Sequence, residues 1–357
     1  MFYFYFFFSF VKYRDCNHLL FFQLYRSDLK ASIRDRPTRR KINKSFESSP
    51  SQEKHDLHDF SSTTQSRTYI SKLTFEENDS ATQLALLNEE VRDCAMSYRY
   101  LQDVRKIICI GRNYAAHIAE LNSKTPKQPF FFLKPSSSII TPITQAHPRR
   151  DDLPTGACFH GLREDGGNPS CIYLPKGTDV HHEVELALIM DKYVSNAQVG
   201  DINAGNVFDL IRGVALSFDL TARNIQFEAK DKGLPWSIAK GFDTFLPMSH
   251  FIPKDELSKD KDNLQDVFKL VCKVNGEVRQ NEWSSLMLNP LEKIIQVIST
   301  TMTLEPGDII LTGTPSGVGQ IQPGDEISGE LFYGDKQLVD MKFDCEERPG
   351  PYVFTET

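Results

Sequence analysis

The order of apolar and polar residues changes character near residue 96, and from Lys106 onward short apolar runs alternate with turn residues. Apolar runs of this length, bounded by Gly, Pro or charged residues, are typical of buried strands. The runs that predict strands are KIICI, FFFL, SSII, HHEVELALIMD, IRGVALSFDL, DIILTG and DEISGELF. Asn275-Gly276 separates VFKLVCKV from EVRQNEW, and this pattern predicts a hairpin.

Two segments show helical spacing instead. TARNIQFEAKDKG predicts a helix that stops at Gly233, with Lys230 and Lys232 in its last turn. NPLEKIIQVISTTMTL predicts an amphipathic helix whose apolar face comprises Leu291, Ile294, Ile295 and Ile298. Because strands outnumber helices, residues 96–357 are predicted to form a β-rich α+β domain.

A stretch rich in Pro, Gly and Asp interrupts this domain at about residues 145–177. Connections of that length without secondary structure are uncommon inside compact domains. We therefore expect an insertion loop between two strands. It either gates a site or has no part in it.

Residues 1–95 are predicted to lie outside the folded domain and to be mostly disordered. They begin with the apolar MFYFYFFFSFV, which is shorter than the about 20 residues that span a bilayer, so we expect no membrane span. The basic RSDLKASIRDRPTRRKINK and the polar SFESSPSQEKHDLHDFSSTTQS follow it. Segments of this composition bury too little apolar surface to offset the entropy lost on ordering.

The basic part of this extension has two interpretations. Its Arg-rich composition is typical of a mitochondrial presequence, whereas Asp15, Asp28 and Asp35 are unusual in one. The alternative is a gene-model extension that precedes a translation start at Met96. We expect a location in the mitochondrial matrix, with the cytoplasm as the second choice.

The overall composition is that of a globular protein, with 40% hydrophobic residues, 25% charged residues and a net charge of −7. This acidic balance argues against a nucleic-acid partner, which would need a concentrated basic surface. The seven cysteines contain no Cys-x-x-Cys pair, which indicates reduced thiols and argues against a zinc cluster.

Glu183 and Glu185 lie two residues apart in HHEVELALIM. Residues i and i+2 of a strand point to the same face, so both carboxylates project together. Negative charges that close repel each other unless a cation or a proton intervenes, and Mg²⁺ prefers oxygen ligands. Asp219, at the end of the run GVALSFDL, is a candidate third ligand. A solvated acidic face would show the same spacing.

Two other motifs carry candidate acid–base groups. His117 and Glu120 lie three residues apart in GRNYAAHIAEL, and on a helical turn the carboxylate would raise the basicity of the imidazole. A surface pair without function would have the same spacing. Lys240 follows apolar residues in LPWSIAKGFDTF, so we expect it to be partly buried and paired with a substrate anion or with Asp243.

The segment LTGTPSGVG follows the apolar run DII. Gly313, Gly317 and Gly319 let the backbone approach a ligand closely, and the hydroxyl of Thr314 can bind a carboxylate. The Gly-Lys-Ser/Thr ending of a P-loop is missing, and a plain turn is the alternative interpretation.

Taken in order, GRNYAAHIAEL, FFFLKP, HHEVELAL, FDLTARNIQ, KGLPWSIAKGFD and LTGTPSGVG resemble the fumarylacetoacetate hydrolase family, and within it the mitochondrial oxaloacetate tautomerase branch. The resemblance implies a mixed β-roll or barrel with a few flanking helices, assembled as a homodimer. It also implies that Glu183, Glu185 and Asp219 hold Mg²⁺, or Mn²⁺ in its place.

The same resemblance implies roles for the remaining candidates. Lys240 matches the catalytic lysine, and His117 and Glu120 match an acid–base pair carried on a mobile lid. The positions that contact the substrate correspond to Arg223, Gln226, Thr314 and Lys134.

The implied substrate is a small 2-oxo acid whose enolate the site stabilises. Proton exchange at C3 would interconvert enol- and keto-oxaloacetate, which is the activity of the branch that the motifs resemble most. Loss of the C4 carboxylate would make the protein an oxaloacetate decarboxylase, and attack by water would make it an acylpyruvate hydrolase. A further alternative is an inactive family member that acts as a binding protein.

Overall fold

Strands dominate the folded part of the chain, which the computed structural model describes over residues 98–149 and 161–357. The predicted N-terminal extension and the centre of the predicted insertion lie outside these residues. The strands of the described residues are β1 Ile107–Gly111, β2 Phe130–Lys134, β3 Ile139–Ile140, β4 Ile172–Leu174, β5 Val180–His182, β6 Val184–Met190, β7 Ile211–Phe218, β8 Thr221–Ala222, β9 Leu246–Pro247, β10 Ile252–Pro253, β11 Phe268–Val274, β12 Glu277–Trp283, β13 Ile309–Leu311, β14 Gly319–Gln320, β15 Glu326–Tyr333 and β16 Lys336–Glu347.

The helices are short and lie between the strands. The α-helices of the described residues are α1 Ala115–Glu120, α2 Ala204–Leu210, α3 Arg223–Lys232, α4 Ser237–Lys240 and α5 Leu291–Ser299. Short segments of 3₁₀-helix occupy Arg99–Asp103, Ser136–Ser138, Lys254–Asp260, Leu264–Asp266 and Ser284–Leu286. Within the described ranges, no helix is long and apolar enough to cross a membrane.

Two large sheets form the framework. The six-stranded sheet has the order β10-β7-β6-β13-β1-β2, and the five-stranded sheet has the order β12-β11-β15-β16-β4. A three-stranded sheet, β14-β5-β8, and a strand pair, β3-β9, complete the strand pairing. The β-rich α+β class predicted from the sequence is therefore confirmed. Over the described residues every sheet has two free edges, so none closes into a barrel.

Apolar side chains cover both faces of the six-stranded sheet. Leu186 and Leu188 of β6 pack with Leu270 of β11 in the larger core cluster, between the two large sheets. Ala187 and Ile189, which alternate with them, pack in a second cluster on the opposite face. The continuous apolar runs of the sequence thus correspond to strands buried on both sides.

The local predictions agree well with the structure. Helix α3 ends at Gly233, whose φ of +69° is the left-handed conformation that favours glycine at a helix C-terminus. The predicted apolar face of α5 is buried in the larger core cluster. The turn at Asn275-Gly276 joins β11 to β12 as an antiparallel pair.

The predicted insertion loop is corrected at its C-terminal part. Strand β4 lies inside the stretch that the sequence predicts to be a loop, and it pairs in parallel with β16. Asn168, before this strand, is buried, and its side-chain amide donates to the carbonyl of Ile139 at 2.7 Å. The composition of the stretch hides this strand because only three of its residues are extended and apolar.

Candidate metal centre

Strands β6 and β7 bring the three predicted carboxylates together. Val184 pairs with Phe218 in the antiparallel register, which places Glu183 opposite Asp219 at the end of the pair. The backbone N–H of Asp219 donates to the carbonyl of Glu183 at 2.8 Å. Carboxylate oxygens of Glu183, Glu185 and Asp219 all lie within 4.8 Å of one another, and all three residues are buried.

The two glutamates lie on one face of the chain, as the i, i+2 spacing predicts. Glu183 is not itself in a strand, because the chain is interrupted there between β5 and β6. This interruption divides the single strand predicted for HHEVELALIMD. Glu185 continues in β6, on the face of the sheet that farther along carries Ala187 and Ile189.

Three cations contact the carboxylates, and two of them, Lys240 and Arg223, also line the cavity described below. The Lys240 ammonium lies 2.9 Å from Glu183 Oε2 and 2.6 Å from Asp219 Oδ2. The guanidinium of Arg223 donates to Glu183 Oε1 at 2.5 Å. Burial alone would raise the pKa of Glu183, but the charges of Lys240 and Arg223 outweigh it and hold that pKa below its ordinary value. Glu183 is therefore ionised at neutral pH.

Lys240 is buried in spite of its charge. Burial alone would lower its pKa, but Asp219 and Glu183 outweigh this effect and raise the pKa above its ordinary value. The ammonium also lies over the ring of Phe132, 4.9 Å from the ring centre. Lys240 thus pairs with the predicted metal ligands. Asp243, the alternative partner, instead contacts Arg348 at 3.4 Å.

Glu185 differs from the other two carboxylates because no cation of the described residues pairs with it. Its Oε2 accepts the backbone N–H of Gly313 at 2.7 Å. Burial, together with the charges of Asp219 and Glu183, raises the pKa of Glu185 well above its ordinary value. A group of this kind needs either a proton or a further cation.

These residues fit a divalent cation. The donor set consists of carboxylate oxygens alone, which suits hard ions such as Mg²⁺ and Mn²⁺. Glu185 supplies a buried negative charge without a paired cation among the described residues. Glu183, Glu185 and Asp219 are therefore the residues that would hold the ion.

Lys134 lies behind Asp219 rather than on the cavity wall that the sequence predicts for it. Its ammonium is 2.9 Å from Asp219 Oδ1 and donates to the carbonyls of Leu220, Lys240 and Phe245. Three carbonyl acceptors use all three ammonium protons. Lys134 thus offsets the charge of Asp219. It also links the backbone after Asp219 to the segment that carries Lys240 and Phe245.

A cavity of about 120 Å³ opens beside the carboxylates, a volume that holds several water molecules or a small acid. Of the predicted site residues, all except Glu120 and Lys134 line it. Phe132, Phe227 and Trp236 form an aromatic part of its wall. The structure therefore brings residues from six separate motifs to one cavity.

The predicted pair on helix α1 is present. His117 Nδ1 lies 3.2 Å from Glu120 Oε2, and Glu120 also accepts the backbone N–H of Gly317 at 3.1 Å. Burial lowers the pKa of His117, although Glu183 and Glu120 act in the opposite direction. His117 is thus a neutral imidazole at pH 7, held by Nδ1.

Arg223, Gln226 and Thr314 line the cavity, and each already takes part in a side-chain hydrogen bond. Arg223 donates to Gln226 Oε1 at 2.8 Å, so the two side chains form one unit. The hydroxyl of Thr314 donates to the carbonyl of Val184 at 2.8 Å. Contact between these residues and a substrate carboxylate stays a prediction.

The sequence pattern did not reveal Gln280, which is buried on the otherwise exposed strand β12. Its Oε1 accepts the N–H of Val184 at 3.1 Å, and its Nε2 donates to Thr314 Oγ1 at 2.8 Å. With the bond from Thr314 to Val184, these contacts close a ring that joins the metal-ligand strand to the glycine-rich loop. No local signal separates buried Gln280 from its neighbour Asn281, which is also uncharged and polar but is exposed.

Comparison with known proteins gives a consistent match. The family model described as the C-terminal domain of fumarylacetoacetate (FAA) hydrolase matches residues 106–343. The mitochondrial oxaloacetate tautomerase of Saccharomyces cerevisiae is 58% identical over 262 residues, which cover 73% of this chain and 100% of the relative.

Two further matches are informative. The mitochondrial oxaloacetate decarboxylase of Dictyostelium discoideum is 39% identical, over 69% of this chain and 96% of the relative. The crystal structure of a yeast fumarylacetoacetate hydrolase family protein aligns with a TM-score of 0.66 and 56% identity, over 73% of this chain and 100% of that one.

Proposed function

The chain belongs to the fumarylacetoacetate hydrolase family, and we propose that it is an oxaloacetate tautomerase that uses Mg²⁺ held by Glu183, Glu185 and Asp219. The observation that carries this proposal is the meeting of three buried carboxylates with Lys240 and His117 around one small cavity. The identity to the yeast oxaloacetate tautomerase supports the choice of reaction.

Charge stabilisation is the first task of the site. A divalent cation held by Glu183, Glu185 and Asp219 would supply positive charge that stabilises an enolate of a 2-oxo acid. Lys240 adds a second positive charge, because its raised pKa keeps the ammonium protonated at neutral pH. A preorganised cation in a water-poor site stabilises the oxygen on which an enolate charge develops.

Proton transfer at C3 is the second task. Nδ1 of His117 is held by Glu120, which leaves Nε2 as the ring nitrogen available to a substrate proton. The lowered pKa keeps the imidazole neutral, so it can accept a proton at pH 7. Arg223, Gln226 and Thr314 line the cavity, and we expect them to orient the carboxylate of the substrate.

The same residues would support two other outcomes at C3, and one experiment separates the three. The purified full chain is given enol-oxaloacetate, keto-oxaloacetate or acetylpyruvate, each with Mg²⁺ or with EDTA. We expect the fastest initial rate for loss of the enol, and only with Mg²⁺. Faster release of pyruvate from keto-oxaloacetate would make the protein a decarboxylase, as the Dictyostelium relative is named. Faster cleavage of acetylpyruvate would make it a hydrolase, and no rate at all would indicate a binding protein.

We also propose that the protein is a homodimer that acts in mitochondria. The names of the yeast and Dictyostelium relatives include a mitochondrial location. Exposed apolar side chains follow one another along edge strand β12 and the turn after it, at Val278, Trp283, Leu286 and Leu288. Sedimentation of the wild type and of Leu286→Asp tests the dimer, and fractionation of cells that express the full chain tests the location.

A further inference from the structure

Arg112 is a cation of the cavity wall that has no anionic partner among the described residues. It follows strand β1 directly and lines the same cavity as the three carboxylates. Its Nε is buried without a hydrogen-bond acceptor. A partly buried guanidinium without an anion is unfavourable, because desolvation is not offset by pairing.

Two other cations of the cavity, unlike Arg112, have anionic partners, although Nε of Arg223 is likewise buried without an acceptor. Arg223 is paired with Glu183, and Lys240 is paired with Glu183 and Asp219. Lys230 also lines the cavity, but its side chain is exposed on α3. Arg112 is thus the partly buried cation of this wall that remains available to a ligand anion.

The local structure holds the Arg112 side chain in place. Its backbone is in the left-handed region, with φ of +58°, which is uncommon for a residue other than glycine. Its guanidinium carbon lies 5.1 Å from the ring centre of Phe130. That ring in turn lies across Gly111, where a Cβ atom would come within 2.1 Å of it. This contact with the ring positions the guanidinium, whose N–H groups form the fork that matches a carboxylate.

We propose that Arg112 binds the second carboxylate of a four-carbon 2-oxo dicarboxylic acid and so selects dicarboxylic over monocarboxylic substrates. The inference rests on the proposed function, since it assigns the far end of the same substrate. The C1 end is placed at the metal ligands, and the C4 carboxylate is held by the fork of the Arg112 guanidinium. Bidentate binding of a carboxylate is the geometry for which arginine is suited.

The test uses a matched pair of unreactive ligands, L-malate and L-lactate, which share a 2-hydroxy-acid end and differ in the second carboxylate. Titration calorimetry on the Mg²⁺-loaded full chain measures the affinity for each. We expect the wild type to prefer malate, and Arg112→Gln to weaken malate by about tenfold to a hundredfold. Affinity for lactate should not change, and Arg112→Lys should retain part of the preference because it keeps the charge but loses the fork.

Two controls accompany these variants. Lys230→Gln removes the exposed cation of the wall, and Arg105→Gln removes an arginine that pairs with Glu305 instead. Neither should change the preference for malate. The thermal midpoint and the Mg²⁺ affinity of Arg112→Gln show that it is folded, and Arg112→Lys serves in its place if it is not.

Several results would overturn the inference. These are a wild type without a preference for malate, an equal loss of malate and lactate binding in Arg112→Gln, and a loss of the preference in Lys230→Gln. The proposed function is tested by a separate measurement, which is the rate of enol-oxaloacetate loss by the wild type. A wild type without that rate but with an Arg112-dependent preference for malate would reject the tautomerase and retain the carboxylate site.

Discussion

The backbone N–H of Gly313 donates to Glu185 Oε2 at 2.7 Å, and no side chain of the described residues donates to this carboxylate. Gly313 has φ of +97°, and a Cβ there would lie 2.6 Å from Cβ of Asn113. Only glycine therefore allows the loop to approach Glu185 this closely. The arrangement leaves a buried carboxylate whose charge a divalent cation can balance.

Replacing Glu185 by glutamine should separate two effects of its carboxylate, which are the repulsion by Glu183 and Asp219 and the binding of a divalent cation. In EDTA we expect Glu185→Gln to raise the free energy of unfolding by about 1 to 3 kcal/mol. The wild-type carboxyl must there either stay charged beside Glu183 and Asp219 or take up a proton at a pH above its ordinary pKa, and glutamine needs neither. The free energy of unfolding of the wild type should rise by about 2.7 kcal/mol when Mg²⁺ is present at 100 times its Kd, and that of the variant should not rise. Thermal unfolding with and without Mg²⁺ measures both, with exposed Glu277→Gln as the control. A variant that is less stable in EDTA and still responds to Mg²⁺ would contradict this.

Replacing Lys240 by methionine should impair activity and stability together. The rate constant kcat should fall by about a hundredfold to a thousandfold, because a charge beside the developing enolate oxygen is lost. The free energy of unfolding in EDTA should fall by about 3 to 5 kcal/mol, since Glu183 and Asp219 would keep their buried charges without this partner. Lys192→Met, at an exposed lysine that pairs with Asp191, should affect neither quantity. Steady-state kinetics and urea unfolding provide the measurements, and unchanged kcat in Lys240→Met would refute its catalytic role.

The pH dependence of the rate should report on His117. Its pKa is lowered from the ordinary value of 6.5 by burial, so the neutral base persists at pH 6.5 and activity declines only as the pH falls through the lower value. Glu120→Gln removes a contact that raises this pKa, and the acid limb of the profile should therefore move to still lower pH. His117→Ala should lower kcat by about 10²- to 10⁴-fold and abolish that limb. An acid limb that stays in place in His117→Ala would assign it to another group.

Gln280 should stabilise both the glycine-rich loop and the metal-ligand strand, because it is hydrogen-bonded to each. Gln280→Leu leaves the N–H of Val184 without its side-chain acceptor and removes the bond that Thr314 Oγ1 accepts, which should cost about 1 to 3 kcal/mol of stability. We expect KM for enol-oxaloacetate to rise more than kcat falls, because substrate positioning is disturbed while Lys240 and His117 remain. The neighbouring Asn281 is exposed, and Asn281→Leu is the control. Equal kinetics in the two variants would show that the ring of hydrogen bonds has no functional part.

The strands and helices that local patterns specify were predictable, and the exceptions have physical reasons. The helix at Leu291–Ser299 and the hairpin at Asn275-Gly276 follow from spacing and turn chemistry alone. Strand β16 was not predicted, although Val339, Met341 and Phe343 alternate there with polar residues. The charged residues of this strand face away from the core. Because they outnumber its apolar residues, the segment does not stand out as an apolar run.

In the site, too, some features follow from local spacing and others depend on tertiary packing. The spacing of Glu183 and Glu185 correctly predicts a shared face, but nothing local places Lys240 between Glu183 and Asp219. Such contacts join residues 57 and 21 positions apart and depend on strand register. The positions of Lys134 behind Asp219, of Gln280 against Thr314 and of Arg112 beside the cavity likewise arise from tertiary packing.

The most direct test of the account is the Mg²⁺ dependence of enol-oxaloacetate loss, followed by the ultraviolet absorbance of the enol. Full-length protein is treated with EDTA, and Mg²⁺ is then added back to the wild type and to Glu183→Gln. We expect the wild-type rate to fall to the uncatalysed value in EDTA and to return with Mg²⁺, whereas Glu183→Gln should stay at the uncatalysed value. A rate that survives EDTA, or a Glu183→Gln variant that equals the wild type, would contradict a metal-dependent tautomerase at this site.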